Sequence, residues 1–393
     1  MQNMNVLGMI AHDANCIYKI VKSFIETQSV QPQKPEYGLE NGYTTYIITN
    51  FIQDLSVFTY EMLKNLPDMK ALIEPELVGE NFFTNLEKMR NAIHIRKPYG
   101  SFKSRAKGII EAMESNFADS HFNISLMYRI AKPNAIFLSP NAYFYHMTND
   151  VENRDDISGI GLRDYSQNIG MISSLIAESF SGKVNYLKPT TCLSGFGITQ
   201  IESFDYTIGA MLEKMGLSVS SAMRIILMHS YVSFINTMFE LISADEVAEV
   251  DNYWMFFLAK LYSIRYDEVM DSFDNLNTHC CDNDKAIISG LLDFKGFDRK
   301  QIIRDFAQKL RNLIHYGLPN YPPIHERGEY FTDLERAYLG AVSLDTIYDF
   351  RELYHAIRFD MKMMQLRFRR LFNMDYPVDI ISKEMAKGGK VLV

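Results

Sequence analysis

Leu86-Glu87-Lys88-Met89-Arg90-Asn91-Ala92-Ile93-His94 and Ala307-Gln308-Lys309-Leu310-Arg311-Asn312-Leu313-Ile314-His315 carry Lys, Arg, Asn, Ile and His in the same order and at the same spacing. Such a match would arise by accident about a few times in a hundred chains of this length. The pair therefore reads as a duplicated element, and the rest of the chain is organised around it. At about 100° per residue, Ile302, Phe306, Leu310, Leu313 and Ile314 form one apolar stripe, with Arg304, Gln308, Arg311 and His315 opposite. In the first copy Phe82, Leu86, Met89 and Ile93 make the stripe, and Glu87, Arg90 and His94 lie across from it. Asp298 with Gln301 forms a capping-box pattern before the second copy, and Gly317 and Pro319 mark its end. Both stretches are expected to be amphipathic helices.

Arg and His one helical turn apart are neighbours on one surface. A guanidinium is a permanently charged fork of donors that matches a phosphate, and an imidazole exchanges protons near neutrality. Together they suit metal-independent cleavage of RNA, in which the ribose 2′-hydroxyl attacks its own phosphate. DNA, which lacks that hydroxyl, would not react.

These Arg-Asn-x-x-His signatures resemble those of the HEPN superfamily, all-α domains that include metal-independent RNases of toxin, abortive-infection and CRISPR-linked defence systems. The resemblance implies an all-α fold of tandem HEPN-like bundles, and makes Arg90, Asn91, His94, Arg311, Asn312 and His315 the active-site residues. Family members bring the Arg and His faces together across a two-fold. That arrangement implies an intramolecular pseudo-dimer of the two copies or a homodimer. Here Arg and His are separated by fewer residues than is usual in the family, which turns the imidazole about 100° around the helix. A second reading stays open, in which Arg and Asn only hold helix ends and the chain is a non-catalytic helical interaction or sensor protein of a defence system with a regulatory protein partner.

Elsewhere helices are expected over 1–27, Thr44–Leu66, Asp164–Phe180, Ile201–Met215, Val219–Ile242, Asp251–Ser272 and Leu344–Phe372. The division is an N-terminal unit over 1–110, a connecting region over 111–200 and a C-terminal unit over 201–393. The helix holding Phe234 and Met238 is expected to match the one holding Phe51 and Leu55. Between Phe122 and Met147 the composition leans towards strand and leaves room for a short hairpin. Ser158-Gly159-Ile160-Gly161 and Ser194-Gly195-Phe196-Gly197 lack the features of phosphate loops and read as turns.

At 393 residues with 47% hydrophobic and 22% charged content, the chain is long enough for several cores. A formal charge of −8 argues against coating nucleic acid by bulk charge, so RNA would need local patches. The candidate contacts are Lys88, Arg96, Lys97, Lys103, Arg105, Arg304 and Lys309, with Lys107, Tyr99 and Phe102 interleaved in the first cluster. Arg351, Arg358, Lys362, Arg369 and Arg370 offer a second candidate RNA-contacting surface, with a solvated helix face the default explanation of such runs.

Cys16, Cys192, Cys280 and Cys281 form no disulfide framework, which fits a reducing cytoplasm. The first residues have no basic segment and reach His12 and Asp13 too soon for a signal peptide, and no membrane span is expected. His279, Cys280, Cys281, Asp282 and Asp284 lack the paired spacing of a zinc site and read as a loop with an aspartate N-cap. No metal and no cofactor is expected.

Overall fold

The computed structural model describes residues 4–30, 44–77, 81–93, 124–130, 135–140, 159–181, 201–207, 215–243, 252–293, 300–316 and 348–372. Those residues are overwhelmingly helical, as the all-α expectation requires. The first group comprises α1 (Met4–Val30), α2 (Thr44–Asn65), α3 (Pro67–Ile73), α4 (Phe82–Ile93) and α5 (Gly159–Ser181). The second comprises α6 (Val219–Ser243), α7 (Asn252–His279), α8 (Asp282–Leu291), α9 (Lys300–Asn312) and α10 (Phe350–Phe372). A 3₁₀ turn, Leu313–His315, extends α9.

The apolar spacing explains what each helix buries. Phe51, Leu55, Phe58 and Met62 put one face of α2 in the core. Helix α7 is different, because every position from Trp254 to Met270 is buried, and it forms the central rod. Aromatic contacts tie the neighbours to it: Phe58 with Phe257 at 5.1 Å, Phe256 with Phe350 at 5.1 Å and Phe273 stacked on Phe368 at 6.0 Å. Phe51 and Phe234 join α2 to α6 at 5.5 Å. Gly170 lets α5 approach α1, since a Cβ there would sit 2.9 Å from Val21 Cγ1. Pro67 stands at the start of α3, where its missing N–H costs nothing.

The two groups are wired alike in their main contacts, although α10 also meets α8 and α9 in the second. In the first, α1 packs on α2 and α5, and α2 packs on α3, α4 and α5. In the second, α6 packs on α7 and α10, and α7 packs on α8, α9 and α10. Helix α7 thus occupies the place of α2, with α9 in the place of α4. The expected match of the Phe234 helix to the Phe51 helix is corrected, because α6 stands where α1 does. Helix α5, inside the expected connecting region, belongs by its contacts with α1 and α2 to the first group.

A small antiparallel sheet accompanies the helices. Strands β1 (Ile124–Ile130) and β2 (Ala135–Pro140) form the expected hairpin, with Ile130 opposite Ala135. A third strand, β3 (Ile201–Thr207), pairs with the other edge of β1 in the order β2-β1-β3. The expected helix over Ile201–Met215 is therefore wrong from Ile201 to Thr207. The ladder offered by β1 outweighs a local pattern that suits both periods. Strand β2 lies along α6.

Other expectations are corrected locally. Gly159 and Gly161 lie inside the first turns of α5, not in a turn. Helix α10 begins at Phe350, and Tyr348 and Asp349 precede it outside the helix. Asp349 Oδ1 accepts from the Glu352 N–H at 2.7 Å while Glu352 Oε2 accepts from the Asp349 N–H at 3.0 Å, a complete capping box. Gln301 donates to Asp305 at 2.7 Å, so its amide is spent along the helix; Asp298, Gly317 and Pro319 lie outside the described residues. Cys281, not an aspartate, is the N-cap of α8, and Asp284 instead accepts from the Ser218 hydroxyl at 2.6 Å. Ile303 is buried in the α9 stripe while Ile302 is 37% exposed.

Candidate active site

Glu61 sits on the last turns of α2, fully buried, with an oxygen aimed at the junction of the two helical groups. Arg90, from the first motif on α4, donates to Glu61 Oε1 through Nε at 3.2 Å and Nη2 at 3.0 Å. His315, from the second motif, places Nδ1 3.1 Å from the same oxygen. The arginine of one copy and the histidine of the other thus meet on one carboxylate. Glu61 Oε2 is buried with no hydrogen-bond partner among the described residues. Arg90 also lies over the Tyr60 ring, 5.2 Å from its centroid.

Several contacts hold the imidazole in place. Asn65 Nδ2 donates to the Glu61 carbonyl at 2.8 Å and to the His315 carbonyl at 3.2 Å. Tyr316 ends the 3₁₀ turn with φ 50°, a left-handed backbone that a bulky residue seldom adopts. Its hydroxyl donates to Asp13 Oδ2 at 2.8 Å, which fixes the strained residue to α1.

Burial pushes the Glu61 carboxyl up, but the hydrogen bonds and charges of His315 and Arg90 outweigh it and hold the group below its ordinary range. Glu61 is then an acceptor only, so the proton on the imidazole faces it at Nδ1. The His315 side chain is 41% exposed and Arg90 is 23% exposed, whereas Glu61 is closed off. A carboxylate that orients an imidazole beside a guanidinium brings together a proton-exchanging group and an anion-binding one.

Comparison with family models, with curated proteins and with solved structures finds no match.

The remaining expected site residues are placed as follows. Arg311 is not at Glu61: its Nη1 donates to buried Asp267 on α7, and the side chain is 12% exposed. Asn312 is exposed at the end of α9. Arg304 bonds Asp271 at 2.7 Å and also Asp274, and Lys309 is half-buried. Asn91 and Lys88 lie on α4 with side chains that are not described. His94, Arg96, Lys97, Lys103 and Arg105, together with Tyr99, Phe102 and Lys107, lie outside the described residues.

Acidic partners are what the sequence reading missed. Asp54, Glu61, Asp267 and Glu268 are all buried. Asp54 receives Arg265 Nε at 3.0 Å and Nη2 at 2.8 Å. Burial raises Asp54 despite that guanidinium. Glu268 is pushed up to about 8, first by burial and then by the charge of Asp267. A signal was present: Asp54 and Glu61 stand three residues after Phe51 and Phe58, at the margin of an apolar stripe where an unpaired acid would be costly.

A second polar cluster lies deeper. Asp13 accepts from Lys260 through both oxygens, and His12 Nδ1 is 3.2 Å away, with Cys16 Sγ 3.9 Å from His12 Nε2. Burial pushes Asp13 up, but Lys260 and His12 more than offset it and leave it below its usual range. The order thiol, imidazole, carboxylate resembles a nucleophilic relay, yet Cys16, His12 and Asp13 are at most 1% exposed. Its place is structural, joining α1 to α7. No group of three or more His, Cys, Asp and Glu side chains among the described residues has the geometry to hold a metal. Ser220–Ile242 is long and apolar enough to cross a membrane by length and composition, but most of it is buried inside the fold.

Proposed function

We propose that the chain is a metal-independent endoribonuclease built from two HEPN-like helical units in tandem, acting in bacterial toxin or antiviral defence. The observation that carries the reading is the convergence of Arg90 and His315 on Glu61, with the imidazole half-exposed and oriented. In this mechanism His315 Nε2 takes the proton of a ribose 2′-hydroxyl. The 2′-oxygen forms a bond to phosphorus while the bond to the 5′-oxygen breaks, and that oxygen leaves with a proton from the medium. The products are a 2′,3′-cyclic phosphate and a 5′-hydroxyl. Arg90 faces the charge that builds on the phosphoryl oxygens, and Glu61 holds the imidazole in the productive tautomer.

The shared wiring of the two helical groups supports the tandem reading, with the site assembled between copies within one chain as a pseudo-dimer. RNA is the partner this chemistry implies. One observation favours a second reading: Arg311, the counterpart of Arg90, is committed to buried Asp267. Arg90 donates to buried Glu61 in the same manner, and guanidiniums so used suit a scaffold, as expected of a non-catalytic interaction or sensor protein of a defence system.

The test is degradation of an end-labelled RNA in EDTA. The wild-type chain should yield fragments ending in cyclic phosphate, and His315→Ala should slow cleavage about 10²- to 10⁴-fold. Glu61→Gln should shift the pH profile of any remaining cleavage, which loss of folding alone would not do. No cleavage by the wild type, or equal cleavage by His315→Ala, overturns the nuclease reading. Growth arrest on inducing the wild type but not His315→Ala would accord with it.

A further inference from the structure

Helix α10 buries Phe350, Leu353, Ile357, Met361, Met364 and Phe368 against the core and turns a separate stripe outward. That stripe is Glu352, His355, Phe359, Lys362, Leu366 and Arg370, all exposed. These positions fall within an arc of about 80° on a helical wheel. Phe359 is 50% exposed and Leu366 41%, an unusual outlay of large apolar side chains on one helix. Lys362 and Arg370 alternate with them and enter no ion pair among the described residues. The flanking cations are used differently: Arg358 lies 3.3 Å from the Phe239 ring centroid and Arg367 donates to the Asp293 carbonyl at 2.6 Å.

We propose that this outer face of α10 docks single-stranded RNA, with Lys362 and Arg370 on phosphates and Phe359 under a base. Charge complementarity carries the choice. Of the residues in α10, Arg351, Arg358, Lys362, Arg367, Arg369 and Arg370 are basic against Glu352 and Asp360 acidic, in a chain whose formal net charge is −8. A local excess of positive charge on an acidic protein selects an anion. Phe359 between cations adds a flat apolar face, which suits a base better than a carboxylate-bearing peptide. A membrane would need a broad apolar face, and here two apolar side chains are separated by a lysine. The run from Phe359 to Arg370 spans about 16 Å, enough for a few nucleotides.

The proposal takes the identity of its ligand from the RNA reading above but not its chemistry, so binding is measured on the His315→Ala chain. Fluorescence anisotropy with a labelled oligouridylate is titrated at several salt concentrations. Lys362→Ala with Arg370→Ala should lower the slope of log affinity against log salt by about 1.4. Phe359→Ala should weaken binding about 5- to 150-fold with the slope unchanged. Lys64→Ala, on an exposed lysine of α2, serves as the control and should alter neither. Absent RNA binding, variants that bind like the control, or binding to anionic phosphatidylserine vesicles in place of RNA would each overturn the proposal. RNA binding that depends on α10 without any cleavage by the wild-type chain would sustain this surface while removing the nuclease reading.

Discussion

Replacing His229 with Met should make the protein less sensitive to mild acid, and the size of the effect follows from its surroundings. His229 is buried on α6 between Phe368 and Phe372, whose ring centroids lie 5.7 and 5.2 Å away. Neither ring nitrogen has a hydrogen-bond partner among the described residues. Burial, followed by the charge of Arg369, lowers its pKa from 6.5 to about 3. The folded state therefore resists a proton that the unfolded chain accepts. Stability from the neutral ring is present above 6.5 and is lost as pH falls towards 3. Linkage puts the loss at about 0.2 kcal/mol at pH 7, about 2 at pH 5 and about 3 at pH 4. Methionine fills similar space without a titrating group, and since the nitrogens satisfy no partner among the described residues, the change should cost little at pH 7. Urea unfolding of both chains at pH 7 and pH 5 isolates the term, because the other titrations cancel in the difference. The wild type should lose about 2 kcal/mol more than His229→Met over that interval. Parallel losses in the two chains would refute the burial argument.

Other buried charges give further expectations. Glu268, raised from 4.5 to about 8, should cost stability as pH rises; Glu268→Gln should spare about 3 kcal/mol of the loss between pH 5 and pH 8, read from urea midpoints. Lys260→Met strands the buried Asp13 carboxylate and should cost about 3–5 kcal/mol in urea unfolding. Lys260→Met combined with Asp13→Asn should recover most of that cost, and additive effects of the two changes would show that the pair is not coupled.

The amphipathic motif helices were readable because a single stripe carries their burial: Phe82, Leu86 and Met89 in α4, and Phe306, Leu310, Leu313 and Ile314 in α9. The same arithmetic failed by one position at Ile302, where two adjacent isoleucines leave the edge of the stripe undetermined. It failed by class at Ile201–Thr207, because Ile201, Phe204 and Ile208 satisfy a helical interval while the ladder that decides the matter belongs to β1. A strand made by a partner far along the chain has no local signature to read.

The site divides the same way. Arg90 and His315 were visible as a repeated chemical pair, whereas the residue that brings them together was not. Glu61 lies 29 residues before Arg90 and belongs to another helix, and its importance depends on a contact that only the folded chain makes. Had the two motif copies been self-sufficient, Arg311 would lie beside His315 at the shared carboxylate. It instead bonds Asp267 on α7, the helix that takes the place of α2 in the second group, just as Arg90 bonds Glu61 on α2. Each motif arginine is thus held by its own group's long helix, while His315 crosses to the other group's. That asymmetry makes Glu61 the residue on which the arginine of one group and the histidine of the other meet. It also explains why a pattern confined to either motif alone does not reveal the site.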